Sequence, residues 1–290
     1  MIILSLILAH LIADFYFQTE HMVKEKRKFL KLHLFHHAAI MFITLLLIYF
    51  YQGNDLIIEV VLATILLVGI HGGIDYLKIF FQEKTDYLVQ KNAWNLGLFI
   101  VDQLLHVITI LSVCYFTLQV DLKSTFNTFL LLSNLKEGLR PDIGLLDGLL
   151  FLIIMLILCT TVTGHLIRIM LGSLTKHISL FEGKYTLKDL AVSPNSEKNM
   201  SEEYTYMVMK HQDLSRGKVI GYLERLLVVA LILMGSFSAV GFIVAAKSLT
   251  RFKQMDDRDW AEYFLLGTLT SFLFAIIYGV LLKIVFFGAY

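Results

Sequence analysis

His10 and Asp14 stand four residues apart in an otherwise apolar run, and His71 and Asp75 repeat that spacing further along the chain. Asp102, Gln103 and His106 form a third polar group, and His33, His36 and His37 a fourth, again within apolar surroundings. A four-residue step on a helix returns to nearly the same face, so each His/Asp pair presents two ligand-type side chains together. Neutral imidazole and carboxylate suit Zn²⁺, Mn²⁺ or Fe²⁺, and three or four such groups converging from different helices define a metal site. The candidate ligands are His10, Asp14, His71, Asp75 and His106, with His33 and His37 in reserve. Asp102 and Gln103 are the candidate catalytic residues. Asp102 is a further ligand or the base for a metal-bound water, and Gln103, like Gln18, orients ligand or substrate by hydrogen bonding. This supply serves one ion, or two ions sharing a carboxylate. The rival is a metal-free network of buried ion pairs or a proton path.

The elements that must position these residues are membrane helices. Of the 290 residues 57% are apolar and only two are proline, and the mean hydropathy is +0.70. Several apolar runs reach the roughly 20 residues needed to cross a bilayer. Spans are expected near 1–17, 33–51, 56–81, 93–118, 145–171 and 261–287. The run Met1 to Ala9 has no positive n-region before it and no small-residue cleavage site after it, so it reads as a retained span. A net charge of +1 gives no excess of positive charge for phosphate neutralisation, so no nucleic-acid partner is expected. Cys114 and Cys159 lie within spans and read as buried apolar thiols.

Lysine and arginine concentrate after span one (Lys24, Lys26, Arg27, Lys28, Lys31), after span three and in 172–217. The positive-inside rule then puts the N-terminus outside and these basic loops in the cytoplasm. In that topology the polar residues of spans one to four all fall in the same, cytoplasmic half of the membrane. Trp94 and Trp260 fall at the cytoplasmic interface. Four regions follow: 1–118 carrying the His/Asp cluster, 119–171 an outer loop and fifth span, 172–217 a polar cytoplasmic tract, and 218–290 a hairpin and last span. The stretch 217–252 is too long for one span and short for two, and Gly235-Ser236 near its middle points to a turn. Folded there, Glu224 and Lys247 meet at similar depth as a structural ion pair, while Arg225 and Arg251 sit nearer the lipid headgroups. The expected architecture is an all-α, polytopic transmembrane helical bundle of about six spans plus a helical hairpin or re-entrant segment.

Three residues are candidates for binding an anionic group of a substrate. Lys78 falls one turn beyond Asp75, where it pairs with that carboxylate, meets a headgroup or snorkels. His165 and Arg168 lie at the polar end of span five, where an arginine is either a phosphate contact or an anchor. Gly72-Gly73 permits close approach of a helix or a ligand.

The segments LAHLIADFYFQT (8–19), HLFHH (33–37), HGGIDYLK (71–78) and FIVDQLLHV (99–107) resemble an uncharacterised, domain-of-unknown-function family of bacterial polytopic membrane proteins. GKVIGYLERLLV (217–228), AAKSLTRF (245–252) and AEYFLLGTL (261–269) continue the resemblance. The His/Asp spans are also distantly similar to predicted metal-dependent hydrolases of the bacterial inner membrane. Together these readings lead to the expectation of a metal-dependent hydrolase in the bacterial inner membrane, its cofactor zinc, manganese or iron. Its substrate would be a membrane lipid or lipid-like molecule, such as a lipid or isoprenoid phosphate. The alternatives are a proton- or metal-ion-coupled transporter, and a membrane sensor or scaffold working through loop 20–31 and the tract 172–217.

Overall fold

The computed structural model describes residues 1–52, 57–84, 91–132, 143–172, 214–252 and 258–288. Most of the expected polar tract 172–217 and residues 133–142 of the expected outer loop lie outside the described residues. The described chain is helical throughout, without strands, and forms a polytopic bundle. Five helical stretches are long and apolar enough to cross a membrane: Lys26–Gln52, Ile57–Lys84, Ala93–Phe116, Leu145–Leu171 and Trp260–Phe287. Their outer faces carry exposed Leu47, Phe50, Ile65 and Leu104, while several of the most polar side chains lie inside. That is the arrangement hydrocarbon imposes on a charged residue.

The first expected span is shorter than a full crossing. Helix α1 (Ile2–Ile12) continues through one π-helical turn, Ala13–Phe17, and the chain then turns extended at Gln18. Thr19 caps the short α2 (Glu20–Lys24) by accepting a hydrogen bond from the Met22 amide at 3.3 Å. Helices α3 (Lys26–Gln52), α4 (Ile57–Lys84) and α5 (Lys91–Phe116) follow. Leu45 near the end of α3 packs with Val60 and Ala63 near the start of α4 and with Ile110 and Val113 near the end of α5. Successive helices therefore run antiparallel, and Leu6 of α1 completes this apolar end of the four-helix group.

A helix not anticipated from the sequence, α6 (Leu122–Leu132), occupies part of the outer loop. Asp121 caps it, its Oδ1 accepting from the Lys123 and Ser124 amides at 2.9 and 3.2 Å. Leu145–Leu171 is continuous but changes register: α7 (Leu145–Ile157) passes through a second π turn, Leu158–Val162, into α8 (Thr163–Leu171). The segment 217–252 forms two helices, α9 (Leu214–Leu233) and α10 (Phe237–Thr250). Between them Gly235 adopts φ +73°. Its amide donates to Ile232 at 3.0 Å and the Ser236 amide to Leu231 at 2.9 Å, the paired bonds of a Schellman stop that favours glycine. The last helix, α11 (Arg258–Phe287), packs on α9 through Val228, Ile232, Phe272 and Ala275.

Arg225 departs from expectation. It does not reach the headgroups but is buried, 4% exposed, against the second π turn. A π turn carries backbone carbonyls that lack their ordinary i+4 donors, and the guanidinium supplies replacements. Nε donates to the Cys159 carbonyl at 2.5 Å, Nη2 to the Thr160 carbonyl at 3.0 Å and Nη1 to Ser271 Oγ at 3.1 Å. A fixed fork of donors suits this task and a lysine does not. Arg251, by contrast, lies over the Trp260 and Phe264 rings.

Replacing Arg225 with Met should destabilise the protein by about 2–4 kcal/mol, because buried carbonyls lose charged donors. Arg225→Lys should recover less than half of that loss. Thermal unfolding in detergent reads both, and two variants as stable as the parent would rule out the clamp.

Candidate metal centre

Four helices deliver the polar residues of the N-terminal half to one place. From α1 come His10 and, through the π turn, Asp14. Lys26, His33 and His37 lie seven and then four residues apart on one face of α3. His71, Asp75 and Lys78 come from α4, and Asp102, Gln103 and His106 from α5.

Asp14 is surrounded by nitrogen. Its Oδ1 lies 2.9 Å from His37 Nε2 and 3.4 Å from His33 Nε2. His10 Nε2 lies 3.6 Å from its Oδ2, which also accepts from Gln103 Nε2 at 3.1 Å. The second carboxylate, Asp75, faces His33 and His71 through Oδ2, with both Nε2 atoms at 3.2–3.3 Å. Its Oδ1 accepts from Lys26 Nζ at 2.6 Å. His33 and His71 approach each other through Nε2 at 3.3 Å. The rings of His37 and His71 lie 3.8 Å apart between centroids, and those of His71 and His106 4.0 Å. Five imidazoles thus form one contiguous group.

Two sets of donors are close enough to share an ion: Asp14, His33, His37 and His71, and then His71, Asp75 and His106. Within each set one donor atom per residue lies within 4.8 Å of all the others. Tetrahedral ligands at about 2.0–2.1 Å from zinc are roughly 3.3 Å from one another, and the distances of 2.9, 3.4 and 3.3 Å around Asp14, His33 and His71 fall near that edge length.

Charge separates the two sets. With neutral histidines, Asp14, Asp75 and Asp102 face two ammonium groups among the described residues, Lys26 on Asp75 and Lys78 on Asp102, each at 2.6 Å. One negative charge is left over, and it belongs to Asp14. A dication roughly 5 Å from the Lys26 ammonium would be repelled by about 7 kcal/mol at an effective dielectric of 20. The set around Asp14 is therefore the better cation site. A proton on one histidine would also balance the charge, which is the metal-free form of the same cluster.

Several buried atoms here have no hydrogen-bond partner among the described residues: both ring nitrogens of His106, Nε2 of His10, Nδ1 of His33 and Oδ1 of Asp102. Buried polar atoms are rarely left so, and an ion or an ordered water is the ordinary reason. A cavity of about 10 Å³ adjoins them, lined by His10, His37, His71 and His106 on one side and by Met41, Leu67, Val68, Thr109 and Ile110 on the other. It has room for about one water. The opposite edge is the more open one, with the side chains of Asp14, Lys78 and Lys26 12%, 15% and 16% exposed.

The other singled-out residues, Lys78 excepted, lie apart from the cluster. Lys78 pairs with Asp102 instead of Asp75. His165 stands one layer outward, its ring 5.2 Å from that of Phe99 and 6.1 Å from that of Phe15, and Arg168 is exposed. His36 packs on Phe17. Gln18 Nε2 is buried without a partner among the described residues. Glu224 and Lys247 meet at 2.5 Å in the α9–α10 hairpin. A Cβ at Gly72 would meet Leu34 of α3 at 3.0 Å, so this glycine serves helix packing. Lys26 is the residue the sequence reading missed, because it counted only as a loop charge. Its seven-residue spacing from His33 was the available signal.

Lys26→Met should destabilise the fold by about 3–5 kcal/mol, since it strands a buried carboxylate. Adding Asp75→Asn should restore much of that stability, giving a coupling energy above about 1 kcal/mol in a double-mutant cycle. Additive losses in thermal unfolding would mean that the pair is not formed.

No curated protein and no solved structure matches this chain. Residues 2–133, from α1 into the end of α6, match a family described as a protein of unknown function (DUF3307), so the similarity covers every residue of the His/Asp cluster and none of α7–α11.

Proposed function

We propose that this protein binds one divalent ion, zinc, manganese or iron, at Asp14, His33, His37 and His71, and uses it to hydrolyse a membrane-embedded or amphipathic substrate. The observation that carries the reading is the Asp14 carboxylate, without a lysine or arginine partner among the described residues and enclosed by imidazoles from three helices. A bound divalent ion supplies a water of near-neutral pKa and polarises a carbonyl or phosphoryl oxygen. Gln103 orients Asp14 through its 3.1 Å hydrogen bond. Asp102 is the base: its Oδ2 accepts from Lys78 Nζ at 2.6 Å and from Gln103 Nε2 at 3.3 Å, and its Oδ1 has no hydrogen-bond partner among the described residues. His10 and His106 border the small cavity and hold water there.

Substrate enters from the edge where Asp14, Lys26 and Lys78 are partly exposed. A one-sided site suits an enzyme better than a transporter. The other end of the four-helix group is filled by the packed apolar side chains of Leu6, Leu45, Ala63, Ile110 and Val113, with no polar side chain in that cluster among the described residues. Transport keeps one argument, the cavity of about 10 Å³, which has room for about one water or a small ion. In this reading the protein resides in a bacterial inner membrane with its basic loops in the cytoplasm. A cysteine at Lys28 should then react with a membrane-impermeant thiol reagent only in inverted vesicles, and reaction in intact cells would reverse the orientation.

Elemental analysis of detergent-purified protein should find one zinc, manganese or iron per chain, falling at least tenfold in Asp14→Asn. Asp102→Asn should keep the ion and lose about 100-fold or more in turnover against phosphate-ester or ester substrates. A metal-free parent after reconstitution would overturn the metal centre, whereas an Asp102→Asn variant with full activity would overturn only the base.

A further inference from the structure

Arg251 is held in place without being neutralised. Its guanidinium carbon stands 5.5 Å from the centre of the Trp260 ring and 5.7 Å from that of Phe264. Those two rings, four residues apart on α11, stack at 5.8 Å between centroids with 15° between their planes. Lys247, one turn earlier on α10, also lies over Phe264, at 5.8 Å, but its charge is met by Glu224 of α9 at 2.5 Å. Arg258, at the start of α11, pairs with Glu262 at 2.9 Å. Among the described residues no carboxylate lies within ion-pair distance of Arg251, although its side chain is half-buried. A guanidinium lying over a ring still carries a fork of N–H donors at its edge.

The surroundings decide what kind of anion reaches it. Helix α10 has 14 residues, about 21 Å at helical rise, and so falls short of the roughly 30 Å of hydrocarbon. Arg251 is its C-cap, at the end where the chain passes on to α11. Leu249 and Phe252 on one helix and Leu265 on the other flank the platform and are exposed, a surface suited to acyl chains. We infer that Arg251, on its Trp260–Phe264 platform, binds the phosphate of an anionic phospholipid headgroup. A fork of donors takes phosphate oxygens bidentately. With Lys247 and Glu224 cancelling, one positive charge remains, which the single negative charge of a phosphodiester headgroup matches. A choline headgroup brings a cation of its own to rings that already hold one. The site lies on α10 and α11, outside the stretch that matches the family, and stands whether or not an ion occupies the His/Asp cluster.

Trp94 and Trp260 are the two tryptophans of the chain, so a Trp94→Phe background leaves Trp260 as a reporter at the site itself. The full chain is reconstituted in phosphatidylcholine vesicles holding a minor fraction of either phosphatidylglycerol or phosphatidylcholine with brominated acyl chains. Quenching of Trp260 then reads how far each lipid is enriched beside it. Brominated phosphatidylglycerol should be enriched roughly 3- to 10-fold over brominated phosphatidylcholine at low salt, and less as salt is raised. Arg251→Gln should bring that ratio to about 1. Lys218→Gln, which removes an exposed cation on α9, should leave it unchanged. Equal quenching by the two lipids in the reporter protein, which needs no Arg251 variant to fold, would overturn the site. So would a ratio unmoved by Arg251→Gln, or one lowered as much by Lys218→Gln, which would make the enrichment a diffuse effect of surface charge. Loss of the enrichment to millimolar inorganic phosphate, beyond that caused by chloride of equal ionic strength, would assign Arg251 to the free ion and overturn the lipid.

Discussion

Three carboxylates set within apolar helices, two buried and Asp14 nearly so, must each be met by positive charge or by donors, and this requirement governs the N-terminal half of the molecule. Isolated charge in a medium of low dielectric is costly, so helices carrying Asp14, Asp75 and Asp102 have little freedom in how they pack. Lys26 reaches Asp75 from the first turn of α3, and Lys78 reaches Asp102 across the α4–α5 interface. Each pair links two helices and sets their rotation about their axes. Asp14 has no such ammonium and is met instead by histidines 33 and 37 and by Gln103. That deficit makes Asp14 the weakest point of an all-protein network, and it is the ground for the proposed cation site.

Two π turns, one in each half of the molecule, adjoin one another near this point. The first carries Asp14 and Tyr16, the second Thr161, and the Tyr16 hydroxyl lies 3.2 Å from Thr161 Oγ1. A π turn shifts the register of the helix that follows and is often found beside functional residues. In α1 it carries Asp14 and ends the helix. In the α7–α8 rod it exposes carbonyls that Arg225 takes up, tying α9 and α11 to the same region. Leu11, Ile154 and Ile157 pack across the junction, so the two halves meet through an apolar seam as well as through this polar bridge.

The division of labour between the halves follows from chemistry. The stretch that matches a known family holds all the nitrogen and carboxylate donors of the cluster. The remainder packs α7–α11 around the buried guanidinium of Arg225, with Arg168 and Lys218 exposed. The proposed hydrolytic centre would need both: donors to hold an ion and a shaped surface to bring the reacting bond to it.

Hydropathy and spacing were enough to read the helical bundle, because hydrocarbon-length apolar runs are a local property and four-residue His/Asp spacing fixes a shared face on any helix. The glycine stop of the 217–252 hairpin was legible for the same reason, since a left-handed backbone turn is written in a single residue. The short α6, signalled only by its capping Asp121, was not read. Pairing was decided only in three dimensions. Nothing local distinguishes Lys26 from its neighbours in a basic loop, or directs Lys78 to Asp102 over Asp75, one turn away on its own helix. Nor does sequence separate Arg225, clamped inside, from Arg251, stacked on Trp260 at the edge. Those choices depend on the rotation and depth of each helix against the others, and it is packing and the balance of buried charge that determine them.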